Sequence, residues 1–240
     1  MNIEKEISTN KAKLVFYDNG TVEKQFFDAN RADSEMNSIA LLNEIFKEKH
    51  ISDWKYKVVE LIKYDKVTST MTMGTVQGVE FSKILATKPE YSKHMGIWLG
   101  LYHNNAHIDE NKVKRFGDFS RTNFIINETE KEVTAIDPGD WGGENNYPEV
   151  DLVTGIYSLA LGAIKAKKLP FKICNTLVKG YNSISNIAIN KKQLFKSWDI
   201  VKIRFKDKYK KSHFTIRPIS YIAMLVLNFY MLFILRRIEV

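Results

Sequence analysis

The sequence predicts an α+β fold in two lobes, a small antiparallel-sheet lobe followed by a mostly helical one. Three observations carry this reading. Strand-like stretches separated by turn signals crowd into the first 73 residues. Helical periodicity dominates from about residue 91 onward. Within that second part, at 124–136, a short polar turn joins two short apolar stretches, which reads as a further hairpin. Of the 240 residues 44% are hydrophobic and 12% aromatic, enough for a real core and too many for a disordered chain.

Residues 3–7 read as a first strand and Ser8-Thr9-Asn10 as its turn. Residues 13–17 form a second strand, and Asp18-Asn19-Gly20 is a strong hairpin turn into a third at 21–27, TVEKQFF. Asp33 or Ser34 is positioned to cap a helix running to about residue 47, its apolar face built from Met36, Ile39, Ala40, Leu42, Ile45 and Phe46. Residues 56–62 and 67–73 read as strands four and five, after which Met73-Gly74-Thr75-Val76 leads out of the sheet. Helices follow at 91–103, 153–165, 171–189 and 191–211. The layout expected is a nucleotide-binding lobe over 1–73, a helical lobe over 74–190, and basic then apolar helices over 191–240.

The chemistry concentrates in 115–143, RFGDFSRTNFIINETEKEVTAIDPGDWGG. Asp118 is followed by Asn123, the spacing at which kinase catalytic loops place a hydroxyl-orienting Asp and a magnesium-holding Asn. FIIN (124–127) and EVTAI (132–136) read as strands around the turn ETEK. An antiparallel hairpin brings the start of its first strand beside the end of its second, so Asn123 and Asp137 become neighbours across fourteen positions. Hard oxygen donors at one hairpin mouth suit Mg²⁺ shared with a triphosphate. Asp, Asn, Gly and Pro are also ordinary turn formers. That explanation covers either motif alone better than both in order, joined by a hairpin.

GDFSRTN followed by IDPGDW resembles the kinases of the aminoglycoside phosphotransferase and choline kinase type, and the related lipopolysaccharide-core sugar kinases of the bacterial envelope. Their loop usually reads HGDxxxxN. Here Phe116 replaces the His, a residue that supports the loop rather than doing chemistry. The DPG at 137–139 stands where protein kinases carry DFG. The resemblance implies a two-lobed protein-kinase-like fold, with ATP and Mg²⁺ as cofactors and a hydroxyl-bearing sugar or glycolipid as acceptor. It makes Asp118 the group that accepts or orients the acceptor hydroxyl, and Asn123 and Asp137 the magnesium ligands. It makes Lys24 the phosphate-gripping lysine, paired with Glu35, and sets the adenine against the backbone around Met73 and Thr75. A glycine-rich phosphate loop is missing, and the Ser8-Thr9-Asn10 turn stands in its place. His103 closes its helix in a structural role, and Asp151 hydrogen-bonds the catalytic loop from below.

Read without the resemblance, Lys24 is an exposed strand lysine, Glu35 favours a helix N-terminus, and Asp151 is a helix cap. Arg121 faces either acceptor phosphate or solvent. Two other functions stay open: a soluble aminoglycoside- or choline-type kinase, and a kinase-shaped binding protein without turnover.

The formal charge is +8, and 191–217 alone holds ten basic and two acidic residues, so the excess is local. It precedes an uncharged stretch at 218–235, PISYIAMLVLNFYMLFIL, closed by Arg236 and Arg237. As a helix that stretch is roughly 27 Å long, short of the roughly 30 Å of a hydrocarbon core. Three readings are open: a packed helix of the second lobe, a helix lying on an anionic membrane surface, or a span. No nucleic-acid motif accompanies the basic residues, and no nucleic-acid partner is expected. A charged N-terminus without an apolar run and a single cysteine, Cys174, give the expectation of a cytoplasmic protein, peripheral on the inner face of the membrane if the surface reading holds.

Overall fold

The computed structural model describes residues 1–110, 112–138, 146–210 and 217–239, with side chains outside 204–225. Gly139, Asp140 and Trp141 of the DPGDW stretch, and Lys211, lie outside the described residues. The chain runs β1 (Ile3–Ser8), β2 (Ala12–Tyr17), β3 (Thr21–Phe26), α1 (Ala29–Ile45), β4 (Lys49–Ile51), β5 (Trp54–Val58), β6 (Leu61–Asp65), β7 (Thr70–Gly74) and β8 (Val79–Glu80). It continues through α2 (Phe81–Ile84), α3 (Ser92–Asn105), β9 (His107–Asp109), β10 (Lys112–Val113), β11 (Phe124–Asn127) and β12 (Glu132–Ala135). It ends in α4 (Pro148–Lys165), α5 (Pro170–Asn182), α6 (Lys191–Lys210) and α7 (Arg217–Arg237). Sheets early and helices late make this the expected α+β class.

Two compact units divide these elements. The first takes Met1–Phe81, Phe116–Asp118 and the described residues of Thr122–Gly142. It holds a sheet in the order β1-β2-β3-β7-β6 and a second in the order β4-β5-β12-β11-β8. Alternation along β3 turns Val22, Lys24 and Phe26 inward, where they meet Met71 and Met73 of β7. The single strand expected at 56–62 is two strands in two sheets. The chain changes sheets at Val59 and Glu60, where the Val59 N–H donates to the Ala135 carbonyl and the Glu60 carbonyl accepts from Gly74. β-propensity is continuous across that point, and pairing decides where the strands end.

α1 starts a turn earlier than its apolar pattern suggests. Asp28, not Asp33 or Ser34, is the cap, its carboxylate accepting from the N–H groups of Asn30 and Arg31. The buried stripe is Ala32, Glu35, Ser38, Ile39, Leu42 and Ile45, while Ala40 is exposed. Glu35 therefore lies in the second turn on the core-facing stripe, not in the first turn.

The second unit takes Ser82–Arg115, Phe119–Arg121 and the described residues beyond 145. Met95, Trp98, Leu99, Leu101 and Tyr102 of α3 are buried as expected, against α5. The two helices approach backbone to backbone. A Cβ at Gly96 would fall on the Leu177 carbonyl oxygen, and one at Gly180 on that of Lys93. α4 starts five residues before the expected 153, with Pro148 in its first turn, where a missing N–H costs nothing. α5 ends at Asn182, short of the expected 189.

α6 and α7 are antiparallel. Lys191 Nζ donates to the Ile238 carbonyl, and Trp198 Nε1 donates to Asn228 Oδ1 at 2.8 Å. Met231, Ile234, Leu235 and Ile238 are fully buried. Asn228, awkward in a span, is satisfied by Trp198. Among the described residues no helix is long and apolar enough to cross a membrane.

Candidate active site

Lys24, Glu35, Asp118, Asn123 and Asp137 all lie in the first unit, and hydrogen bonds link Lys24, Glu35, Asp137 and Asn123 into one cluster. The hairpin of β11 and β12 pairs Phe124 with Ala135 and Asn127 with Glu132. One step beyond the ladder, the Ile136 N–H donates to the Asn123 carbonyl at 2.9 Å. Asn123 Nδ2 donates to the Asp118 carbonyl at 2.9 Å and, more weakly, to the Asp137 carbonyl at 3.4 Å. The amide's donor end is thus fixed on backbone. Its Oδ1, the end a cation binds, takes a long 3.4 Å contact from the Thr122 hydroxyl.

Asp137 has φ 50°, a left-handed conformation that Asp tolerates better than most residues. Its side chain is half-exposed at 53%, and Oδ1 lies 2.5 Å from Lys24 Nζ. The same Nζ lies 2.5 Å from Glu35 Oε1. Lys24 and Glu35 are buried, Lys24 against the Phe26 ring at 4.9 Å. An exposed strand lysine is therefore the wrong description of Lys24, and Glu35 is more than a helix-end acid. Burial works against the charge on Lys24, but Asp137 and Glu35 together outweigh it and hold the ammonium above its ordinary pKa. For Glu35 burial wins over the attraction of Lys24 and pushes the carboxyl up to about 7, with the Asp137 charge acting in the same direction.

Asp118 is exposed and follows Gly117, whose φ of 89° turns the chain into the loop. Arg121 and Asn123 bound a 3₁₀ turn that closes it. Arg121, whose direction the sequence leaves open, turns to α4. Its N–H and its guanidinium both bond the Ser158 hydroxyl, and the guanidinium also donates to the Ser158 carbonyl. Phe116, in place of the usual histidine, is fully buried and packs on Phe124, ring centroids 6.3 Å apart.

The remaining expectations fare unevenly. Met73 is buried in β7 between Val22 and Leu61. The Thr75 N–H and hydroxyl both donate to the Gly20 carbonyl, at 2.9 and 3.0 Å, so its side of the strand exit is tied to the β2–β3 turn. The Thr9 hydroxyl donates to the Ala12 carbonyl and accepts from Lys11 and Ala12 N–H groups, so the Ser8-Thr9-Asn10 turn spends these donors on itself. Asp151 is not a helix cap. It lies inside the first turn of α4, 3.3 Å from His103 Nε2, and the His103 Nδ1 meets the Tyr181 hydroxyl at 3.0 Å. A polar groove of about 420 Å³ lies on the opposite face of the first sheet, where Glu23, Gln25 and Thr72 point. It holds none of the residues predicted to act.

Among the described residues no group of three or more His, Cys, Asp and Glu could enclose a metal. Asn123 Oδ1 and the Asp137 carboxylate supply two hard oxygens at one hairpin mouth. That set fits an ion such as Mg²⁺, which is bound through few protein ligands plus phosphate and water.

Compared with known proteins, the sequence matches no family model and no curated protein. Its structure does match. Aminoglycoside phosphotransferase APH(2'')-Ib, solved with ADP bound, superposes with a TM-score of 0.59 at 10% identity, covering 95% of this chain and 94% of that one. The chain has the protein-kinase-like fold of the aminoglycoside phosphotransferases. Amicoumacin kinase hAmiN, in complex with AMP-PNP, Ca²⁺ and Ami, shares this kinase-like fold at a TM-score of 0.62 and 10% identity, over 95% of this chain and 87% of that one. APH(2'')-IIIa, with GDP and kanamycin, gives 0.59 at 11%, over 95% and 94%. The kinase-like fold thus accounts for nearly the whole chain, α6 and α7 included.

Proposed function

We propose that the chain is an ATP- and Mg²⁺-dependent kinase that phosphorylates a hydroxyl of a sugar or small molecule. The observation that carries this reading is the lysine bridged by two carboxylates. Lys24 Nζ sits 2.5 Å from Glu35 and 2.5 Å from Asp137, and Asp137 shares its hairpin mouth with Asn123. A buried ammonium held charged in this way is suited to gripping phosphate oxygens. A divalent ion bound by Asn123 and Asp137 would neutralise charge on the phosphates. Asp118, exposed at the loop entrance, orients the acceptor hydroxyl and takes its proton. The hydroxyl oxygen forms the new bond to the terminal phosphorus, and the bond to the bridging oxygen breaks, leaving ADP with the electron pair. Such transfer is mostly positioning and charge neutralisation, which is what these residues supply.

For the acceptor we propose a sugar of a cell-envelope glycolipid, a reading supported by the local basic excess next to an apolar helix. One solved protein of like fold is in complex with GDP and kanamycin. A soluble acceptor of that kind is the competing outcome. The test is a phosphate-transfer screen against a lipid extract and a panel of soluble aminoglycosides, amino alcohols and free sugars, with wild type and Asp118→Ala. Transfer that the variant loses supports the assignment, and equal rates remove it. Thermal stabilisation by nucleotide with no transfer to any acceptor would make the chain a nucleotide-binding protein instead.

A further inference from the structure

From Val226 to Phe233, the outer face of α7 is apolar where a surface helix is ordinarily polar. Val226 is 61% exposed, Phe229 75% and Phe233 46%. At 100° per residue these three, with Arg236 and Arg237, fall in an arc of about 100°. The buried Leu227, Met231, Ile234, Leu235 and Ile238 occupy the opposite arc and pack inward. Scattered exposed apolar residues need no explanation, but a stripe with two phenylalanines does. Arg237 lies over the Phe233 ring at 4.1 Å, which sets a cation at the end of the stripe. The antiparallel partner α6 turns Lys192 and Lys196 to solvent, and the chain's whole charge excess falls between 191 and 217.

We infer that the α6–α7 pair is a docking surface for an anionic phospholipid bilayer, with Val226, Phe229 and Phe233 entering the headgroup–acyl boundary and Lys192, Lys196, Arg236 and Arg237 facing lipid phosphate. One apolar insertion and one polybasic region are the two signals that a reversible peripheral attachment needs. Charge selects this occupant. A second copy of the chain would bring the same basic excess against itself. The burial of the opposite face of α7 leaves the outer stripe as the part that can insert, so the helix lies along the surface instead of crossing it.

The inference needs neither nucleotide nor phosphoryl transfer, so its failure and the failure of the kinase reading are separate events. The test is flotation of the full chain with vesicles of phosphatidylglycerol and phosphatidylcholine, against vesicles of phosphatidylcholine alone. Binding is expected to the anionic vesicles only, and to weaken as salt is raised. The double substitution Phe229→Ser, Phe233→Ser should reduce it about tenfold or more, and Lys192→Glu, Lys196→Glu should do the same through charge. All four side chains are exposed in whole or part, so the far-UV spectrum and melting midpoint should hold. Equal binding to both vesicle types, no binding, or binding indifferent to both pairs of substitutions overturns the inference. So does concentration-dependent self-association that the phenylalanine pair abolishes while no vesicle binding is seen, or duplex nucleic acid bound in preference to vesicles.

Discussion

The first unit gathers polar side chains around Lys24, and the second around His103 and Asp151. Both sets have a buried centre and both join segments far apart in sequence, but they end differently. His103 is fully enclosed, with Asp151 on one ring nitrogen and the Tyr181 hydroxyl on the other. Every polar atom of that ring is answered within the unit. Lys24 is enclosed at its stem, yet one of its two carboxylate partners, Asp137, is half in solvent at a hairpin mouth. The first cluster is open at one end and the second is closed. A closed cluster serves the fold, whereas an open one leaves charge for something from outside to meet.

The contrast makes distinct predictions. Asp137→Asn should lower phosphate transfer about 10²- to 10³-fold, the scale seen when one electrostatic stabiliser is lost, while the melting midpoint moves little. Initial rates and calorimetry on the same preparation check this, and a variant that melts early with normal turnover would reverse the comparison. Asp151→Ala should do the opposite, costing about 3 kcal/mol of stability because it strands a buried polar partner. Urea unfolding measures it, and an unchanged midpoint would mean that the closed cluster is not structural.

A smaller effect concerns pH. The Glu35 carboxyl titrates near 7 in the folded chain, above its ordinary 4.5, because of burial. Between these values the folded state holds more protons than the unfolded one, so stability is fullest below about 4.5 and declines as pH rises toward 7. Glu35→Gln should flatten that part of the stability profile. A slope unchanged by the substitution would place the titration elsewhere. The smallest change expected is for Arg121→Ala, which removes the tie to Ser158 and leaves Asp118 and Asn123 in the chain. It should lower kcat about tenfold with little change in KM for ATP, and a change confined to KM would put Arg121 against the substrate.

What the sequence reveals here follows from the range of each interaction. The nearness of Asn123 and Asp137 is legible because a four-residue turn leaves a hairpin one register to adopt. The inward direction of Lys24 follows only once its strand is paired, since alternation alone does not say which face is the core. The start of α1 is hidden because Asp28 precedes the apolar periodicity by more than a turn. The break at Val59 and Glu60 is hidden because both halves have strand-forming residues, and only distant partners, Ala135 and Gly74, end one strand and begin another. Arg121 could not be aimed from sequence. Its fork of donors suits a phosphate as well as it suits Ser158.

The left-handed backbone at Asp137 decides which substitutions can be trusted there. Asparagine accepts the same dihedral angles and differs mainly in charge, so it isolates electrostatics from shape. Alanine or valine would oppose the turn itself by about 1–2 kcal/mol and could drag Asn123 away with it. Loss of function in those variants would then report a displaced peptide rather than a missing carboxylate.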